Sequence, residues 1–162
     1  MKEYEYSFKV NDINPFINYC KNNGYILEND NLQIRELFKN KNKILARITT
    51  EIINDEKKYI LDFKDDNDTD ILIKEARETF PLKVRLEDRK ALDSILDILD
   101  FSKDVVLKRK RVTYVKNKVK FEIDEYMEPE IFYVVAIEGE KNLVDNVYLD
   151  IKNKIKEVSD VQ

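Results

Sequence analysis

Residues 2–10, KEYEYSFKV, change character at every step: Tyr4, Tyr6 and Phe8 fall on one side, and Glu3, Glu5, Ser7 and Lys9 on the other. Alternation with a period of two fits a β-strand with one apolar face; in a helix the apolar residues recur every three or four positions. Further strand segments follow at LQIRELF (32–38), KILARITTE (43–51) and KKYILDFK (57–64), the last two joined by the turn-like INDEK. After the short segment PLKVRLE (81–87) come DVVLKRKRVTYV, KVKFEIDEY and EIFYVVAIEGE, separated by the polar turns KN and MEP.

Three helices interrupt this pattern. Pro15 opens one that Gly24 closes, in keeping with proline at a helix start and glycine past its end. Asp88 is placed to cap a second, in which Ala91, Leu92, Ile95, Leu96 and Leu99 recur at helical spacing. A third, from about Asn142 to Val158, aligns Val144, Val147, Ile151, Ile155 and Val158. The segment ILIKEARETF (71–80) reads equally as a short helix or an irregular connection. The acidic DDNDTD (65–70) reads as a solvated loop: Asp65, Asp66, Asp68 and Asp70 lack the glycine and distal glutamate of an EF-hand.

A strand-rich chain must cover or close its sheet edges, and closure into an antiparallel barrel of eight strands with peripheral helices is the economical solution, an α+β fold. The 162 residues, 43% of them hydrophobic, suit a single domain spanning 1–162. The polar strand faces carry charge of both signs: Glu3 with Glu5, Arg47 with Thr49, Asp62 with Lys64, Arg109 with Arg111, Glu122 with Asp124, and Glu138 with Glu140. Turned outward, these make an ordinary solvated surface; turned inward, they line a wet tunnel with cations and carboxylates. Periodicity alone leaves both open. An exposed basic ribbon for RNA around Arg109, Arg111 and Tyr114 is a third option, disfavoured by the acidic strands beside it and the net charge of -4.

Absences narrow the chemistry. With no histidine there is no Ser-His-Asp or Cys-His triad, and with a lone cysteine, Cys20, neither a zinc cluster nor an internal disulfide forms. The two glycines, Gly24 and Gly139, are too far apart for a P-loop or a dinucleotide fingerprint. Carboxylates, lysines and arginines remain, and carboxylates suit hard ions such as Mg²⁺ or Mn²⁺. No apolar stretch approaches the ~20 residues that span a bilayer, so a cytoplasmic location is expected, with neither a membrane nor a nucleic acid as partner.

Glu3-x-Glu5, the central LARI, the YILDFK strand, a helix ending ILDILDF, and KRKRVTY, VKFEIDEY and FYVVAIEGE in that order resemble the layout of the CYTH superfamily, the triphosphate tunnel metalloenzymes. That group includes inorganic and thiamine triphosphatases and class IV adenylyl cyclases. The similarity covers nearly the whole chain. It implies an eight-stranded tunnel that holds a triphosphate-containing small molecule with inward Lys and Arg and binds Mg²⁺ or Mn²⁺ with Glu and Asp.

Transferred by position, the resemblance places Glu3, Glu5, Asp124 and Glu138 on the metal, and Arg47, Lys64, Arg109 and Arg111 on phosphate, with Glu3, Glu5 and Lys64 closest to the chemistry. It implies metal-dependent hydrolysis of a triphosphate, with cyclase activity or binding without turnover as alternatives, and allows a homodimer. Two positions depart from the family pattern: Ser7 stands where it carries Lys, and Ala136 where it carries Glu. Thr49 also replaces a basic residue, and Lys83 and Arg85 are only loose counterparts of its Arg- and Glu-rich strand. The departures imply either a divergent, impaired enzyme or a tunnel that binds without efficient turnover.

Overall fold

The computed structural model describes residues 2–66 and 72–159. Strands β1 (Lys2–Val10), β2 (Ile26–Lys39), β3 (Ile44–Ile53), β4 (Glu56–Asp65), β5 (Ile73–Arg77), β6 (Leu82–Val84), β7 (Ser102–Lys116), β8 (Val119–Glu128) and β9 (Phe132–Gly139) form one antiparallel sheet. Helices are α1 (Asn14–Asn22), α2 (Arg89–Ile98), α3 (Lys141–Lys154) and α4 (Lys156–Ser159), with a 3₁₀ turn at Leu86–Asp88 before α2. Among the described residues no helix is long and apolar enough to cross a membrane.

The α+β class agrees with the sequence; the closed eight-stranded barrel does not. The sheet has nine strands in the order β5-β1-β9-β8-β7-β2-β3-β4-β6, and its ladder is open. The additional strand is β5, from the segment that read as helix or connection, and it adds to β1 through pairs such as Glu3 with Ala76. Closure fails because the two end strands are short and each is spent on one partner: β5 on β1, and β6 on residues 59–61 of β4. A single bridge, Lys64 to Glu78, ties β4 to the chain leaving β5.

The open sheet is nevertheless strongly curled. β1 is second and β4 eighth in the strand order, six spacings apart. On a flat sheet, six spacings of ~4.8 Å would separate them by about 29 Å. Instead Glu3 of β1 and Lys64 of β4 meet at 3.1 Å. Right-handed twist accumulated over many strands permits such rolling.

Helices decide which face rolls outward. α1, α3 and α4 cover the apolar side of β1, β7, β8 and β9, where Tyr6, Phe8, Tyr114, Phe121, Ile123 and Ile137 pack. α2 covers β2 to β4 on the same side, around Phe38, Ala46, Ile48 and Leu61. With the apolar side committed to helices, the charged side is the interior. Tyr114 belongs to the first cluster, on the face opposite Arg109 and Arg111, so it does not lie beside them on one surface.

Local signals hold with three adjustments. Asn54 and Asp55 both take positive φ in the β3–β4 turn, as a tight hairpin requires. Asp88 precedes α2 but makes no cap hydrogen bond, because its carboxylate accepts from Arg85 instead. The last helix breaks at Ile155 into α3 and α4. Glu140 lies beyond β9 at the start of α3 and pairs with Lys118, so it does not share the face of Glu138. Of the acidic run, Asp65 ends β4 against Arg77 and Asp66 lies near Lys39, whereas 67–70 fall outside the described residues.

Candidate functional site

Pleating places every second residue of each strand on the interior, and register then sets the neighbours. Glu5 pairs with Glu138, and Ser7 with Ala136, which in turn faces Glu122. Arg111 pairs with Asp124, and Arg47 with Asp62. The solvated-surface reading ends here: Glu5 is 8% exposed, Arg47 9%, and Arg109 and Asp124 2% each. A cavity of about 550 Å³ opens at one end of this interior, lined by Glu3, Glu78, Glu138, Lys118 and Lys120 among others.

Of the four carboxylates expected on a metal, three come together. Oxygens of Glu3, Glu5 and Glu138 lie within 4.8 Å of one another. Asp124 is elsewhere, accepting from Arg109 at 3.2 Å and from both Nε and Nη2 of Arg111 at 2.7 and 2.8 Å. Glu122 completes that pairing through Arg111 Nη1. The acid at 124 therefore orients two arginines, a role that the sequence pattern did not separate from metal binding.

Of the cations expected on phosphate, Arg47 donates to Asp62 and Glu78, Lys64 pairs with Glu3, and Arg109 also donates to Gln33 and Tyr126. One cation was missed. Arg35 of β2 donates only to Thr49 Oγ1, at 3.3 Å, and no carboxylate pairs with it among the described residues. Burial, then the charges of Arg109, Arg47 and Arg111, push its guanidinium well below the usual arginine range. An arginine cannot shed its proton here, so this is a standing demand for an anion. Its signal was the alternation in LQIRELF, where Gln33 and Arg35 share a face.

Too many acids for the available cations leave protons in the cluster. Glu138 is pushed up to about 11 by burial, the Glu122 charge and its hydrogen bond to Glu3. Burial also lifts Glu5 to about 7, against the pull of Lys64 and with the push of the Glu3 charge. Glu78 likewise rises to about 7 through burial and its bond to Glu3. For Glu3 burial acts upward too, but hydrogen bonds from Glu138 and Glu78 and the Lys64 charge overcome it and hold it ionised, well below the usual range.

A consequence for stability follows. Between the ordinary range near 4.5 and about 7, the unfolded chain gives up protons that folded Glu5 and Glu78 keep. The stability they give is full below that window and falls as pH rises through it. The melting temperature should therefore drop from pH 5 to pH 7.5, and Glu5→Gln should flatten the drop. A wild-type optimum above pH 7, unchanged in Glu5→Gln, would show that the cluster holds no such protons.

The donor set fits a hard divalent cation. Three carboxylates converge around the ionised Glu3, whose Oε2 meets Lys64 Nζ at 3.1 Å.

No family model matches the chain, and no curated protein is similar to it in sequence. Solved structures share its fold. The PH1012 protein of Pyrococcus horikoshii OT3 is similar with a TM-score of 0.70 and 19% identity, over 97% of this chain and 90% of that one. HpAC1 from Hippeastrum, a candidate adenylyl cyclase with a dominant triphosphatase activity, gives 0.67 and 12% over 96% and 88%. A candidate adenylate cyclase from Bacillus halodurans gives 0.61 and 13% over 94% and 90%. The chain thus shares the fold of these proteins.

Proposed function

We propose that this chain, on a fold shared with candidate adenylate cyclases and a triphosphatase, hydrolyses a triphosphate, inorganic or organic, with Mg²⁺ or Mn²⁺. The supporting observation is the interior itself, where a trio of carboxylates lies beside four arginines, one of which, Arg35, has no carboxylate partner among the described residues. Glu3, Glu5 and Glu138 would hold the ion, which supplies charge neutralisation of phosphate oxygens and an activated water. Arg35, Arg47, Arg109 and Arg111 grip the phosphate chain, held in place by Asp62, Asp124 and Glu122. Lys64 joins them when Glu3 takes up a ligand and releases it. Phosphoryl transfer needs little more from a protein than such positioning and charge stabilisation.

Binding without efficient turnover is the second reading, favoured by the direct cross-strand pairing of Ser7 with Ala136. The two departures from the family pattern are neighbours, so one stretch of wall has lost a cation and a carboxylate together.

Phosphate release from tripolyphosphate decides between them. With Mn²⁺ the wild type should release phosphate, and Glu5→Gln should lower the rate at least ~100-fold, as loss of a group acting on developing charge does. Stabilisation by tripolyphosphate with no release would establish the binder, and cyclic AMP formed from ATP would establish a cyclase.

A further inference from the structure

Past the small pair Ser7 and Ala136, the interior wall carries a lysine with no acid of its own. Lys9 of β1 follows Glu3, Glu5 and Ser7 on the face opposite the core residues Tyr6, Phe8 and Val10. Its ammonium lies 4.7 Å from the centre of the Phe132 ring, and no carboxylate pairs with it among the described residues. Phe132 is in turn stacked on Tyr126, with ring centres 4.4 Å apart, and the Tyr126 hydroxyl accepts from Arg109. The two rings therefore lead from an exposed cation at the rim to a buried arginine.

Register fixes what lies beside Lys9. The row Lys9, Val134, Asp124, Arg111 runs across β1, β9, β8 and β7, and the next row toward the carboxylate trio is Ser7, Ala136, Glu122, Thr113. In that second row β1 and β9 contribute only a hydroxymethyl and a methyl group, which leaves room between Glu5 and Lys9. Two residues along a strand are ~6.8 Å apart, a span that the flexible four-carbon stem of lysine covers. The attraction of an ammonium to a ring is weak at exposed sites, so Phe132 holds Lys9 loosely.

We propose that Lys9 is a phosphate-binding residue, swinging from Phe132 over Ser7 and Ala136 to meet a phosphate oxygen between the carboxylate trio and the arginines. This rests on the triphosphate reading above. A phosphate oxygen is a full anionic acceptor and displaces the ring as partner, while the three donors of the ammonium let it follow the phosphate chain. The small pair is then the space that this side chain needs, and the cation absent at position 7 arrives from two residues further along the strand.

Calorimetric titration of tripolyphosphate in the presence of Mn²⁺ into the wild type, Lys9→Met, Ser7→Lys and the double variant tests this. Lys9→Met should bind at least ~10-fold more weakly, the loss of one charge-assisted hydrogen bond, with an unchanged melt because the side chain is exposed. Ser7→Lys added to Lys9→Met should recover most of that loss, and Ser7→Lys alone should gain less, because two ammonium groups compete for one gap. A wild type that binds no tripolyphosphate would overturn the triphosphate reading and the role of Lys9 with it. Where the wild type binds, unchanged affinity in Lys9→Met, no recovery in the double variant, or equal gains from Ser7→Lys with and without Lys9 would each overturn the role of Lys9 alone.

Discussion

Asp124→Asn should cost about 3–5 kcal/mol of folding stability, because it removes the shared carboxylate from a buried ion-pair group while leaving the shape. Asp124 accepts three hydrogen bonds, from Arg109 and Arg111, and both it and Arg109 are 2% exposed. With asparagine there, one oxygen still accepts but the shared charge is gone and an amide NH₂ faces the guanidinium groups, so Glu122 is left as the one carboxylate that these two arginines pair with among the described residues. At ~2–4 °C per kcal/mol for a chain of this size, thermal denaturation should shift down by about 6–20 °C. The wild-type carboxyl is held low against burial by Arg111 and Arg109, so its contribution is present above the unfolded range and is lost as pH falls through its folded value. Tripolyphosphate should stabilise the variant more than the wild type, since the anion returns the missing charge. A melting point within about 1 °C of wild type would show that the arginines do not depend on Asp124.

Arg35→Met should act with opposite signs on stability and binding. Removing a cation crowded by Arg109, Arg47 and Arg111, with no carboxylate of its own among the described residues, should leave the fold as stable as wild type or more so. Two charge-assisted hydrogen bonds lost to phosphate, at about 1.5 kcal/mol each or more, should weaken tripolyphosphate binding at least ~100-fold. A group kept at a cost to the fold and needed for the ligand is what a functional site leaves behind. Unchanged affinity would remove Arg35 from the site.

How far the sequence anticipated this depends on which physical force set each feature. The face of Glu3 and Glu5 was legible because Tyr4, Tyr6 and Phe8 alternate with them, and Arg109 with Arg111 for the same reason. Residues 73–77 were not, since Lys, Glu, Ala and Arg favour helices and only pairing with β1 makes them a strand. Glu78, which follows them, stayed hidden with them. Whether charged faces point in or out is a property of the curl and the covering helices, which no single strand encodes. The division between the metal trio and the arginine-holding Asp124 depends on register across β7, β8 and β9, and so does the meeting of Ser7 with Ala136.

Titration calorimetry of tripolyphosphate against the wild type, with and without Mn²⁺, reads out the coupling between the carboxylate trio and the arginines. A metal on Glu3, Glu5 and Glu138 frees Lys64 and lowers the repulsion a phosphate chain meets, so ion and anion must each raise the other's affinity by the same factor. Tripolyphosphate should bind at least ~10-fold tighter with Mn²⁺, a coupling within the usual range for linked sites, and this gain should disappear in Glu5→Gln. Tripolyphosphate binding of equal strength with and without Mn²⁺, or no binding in either case, would contradict it.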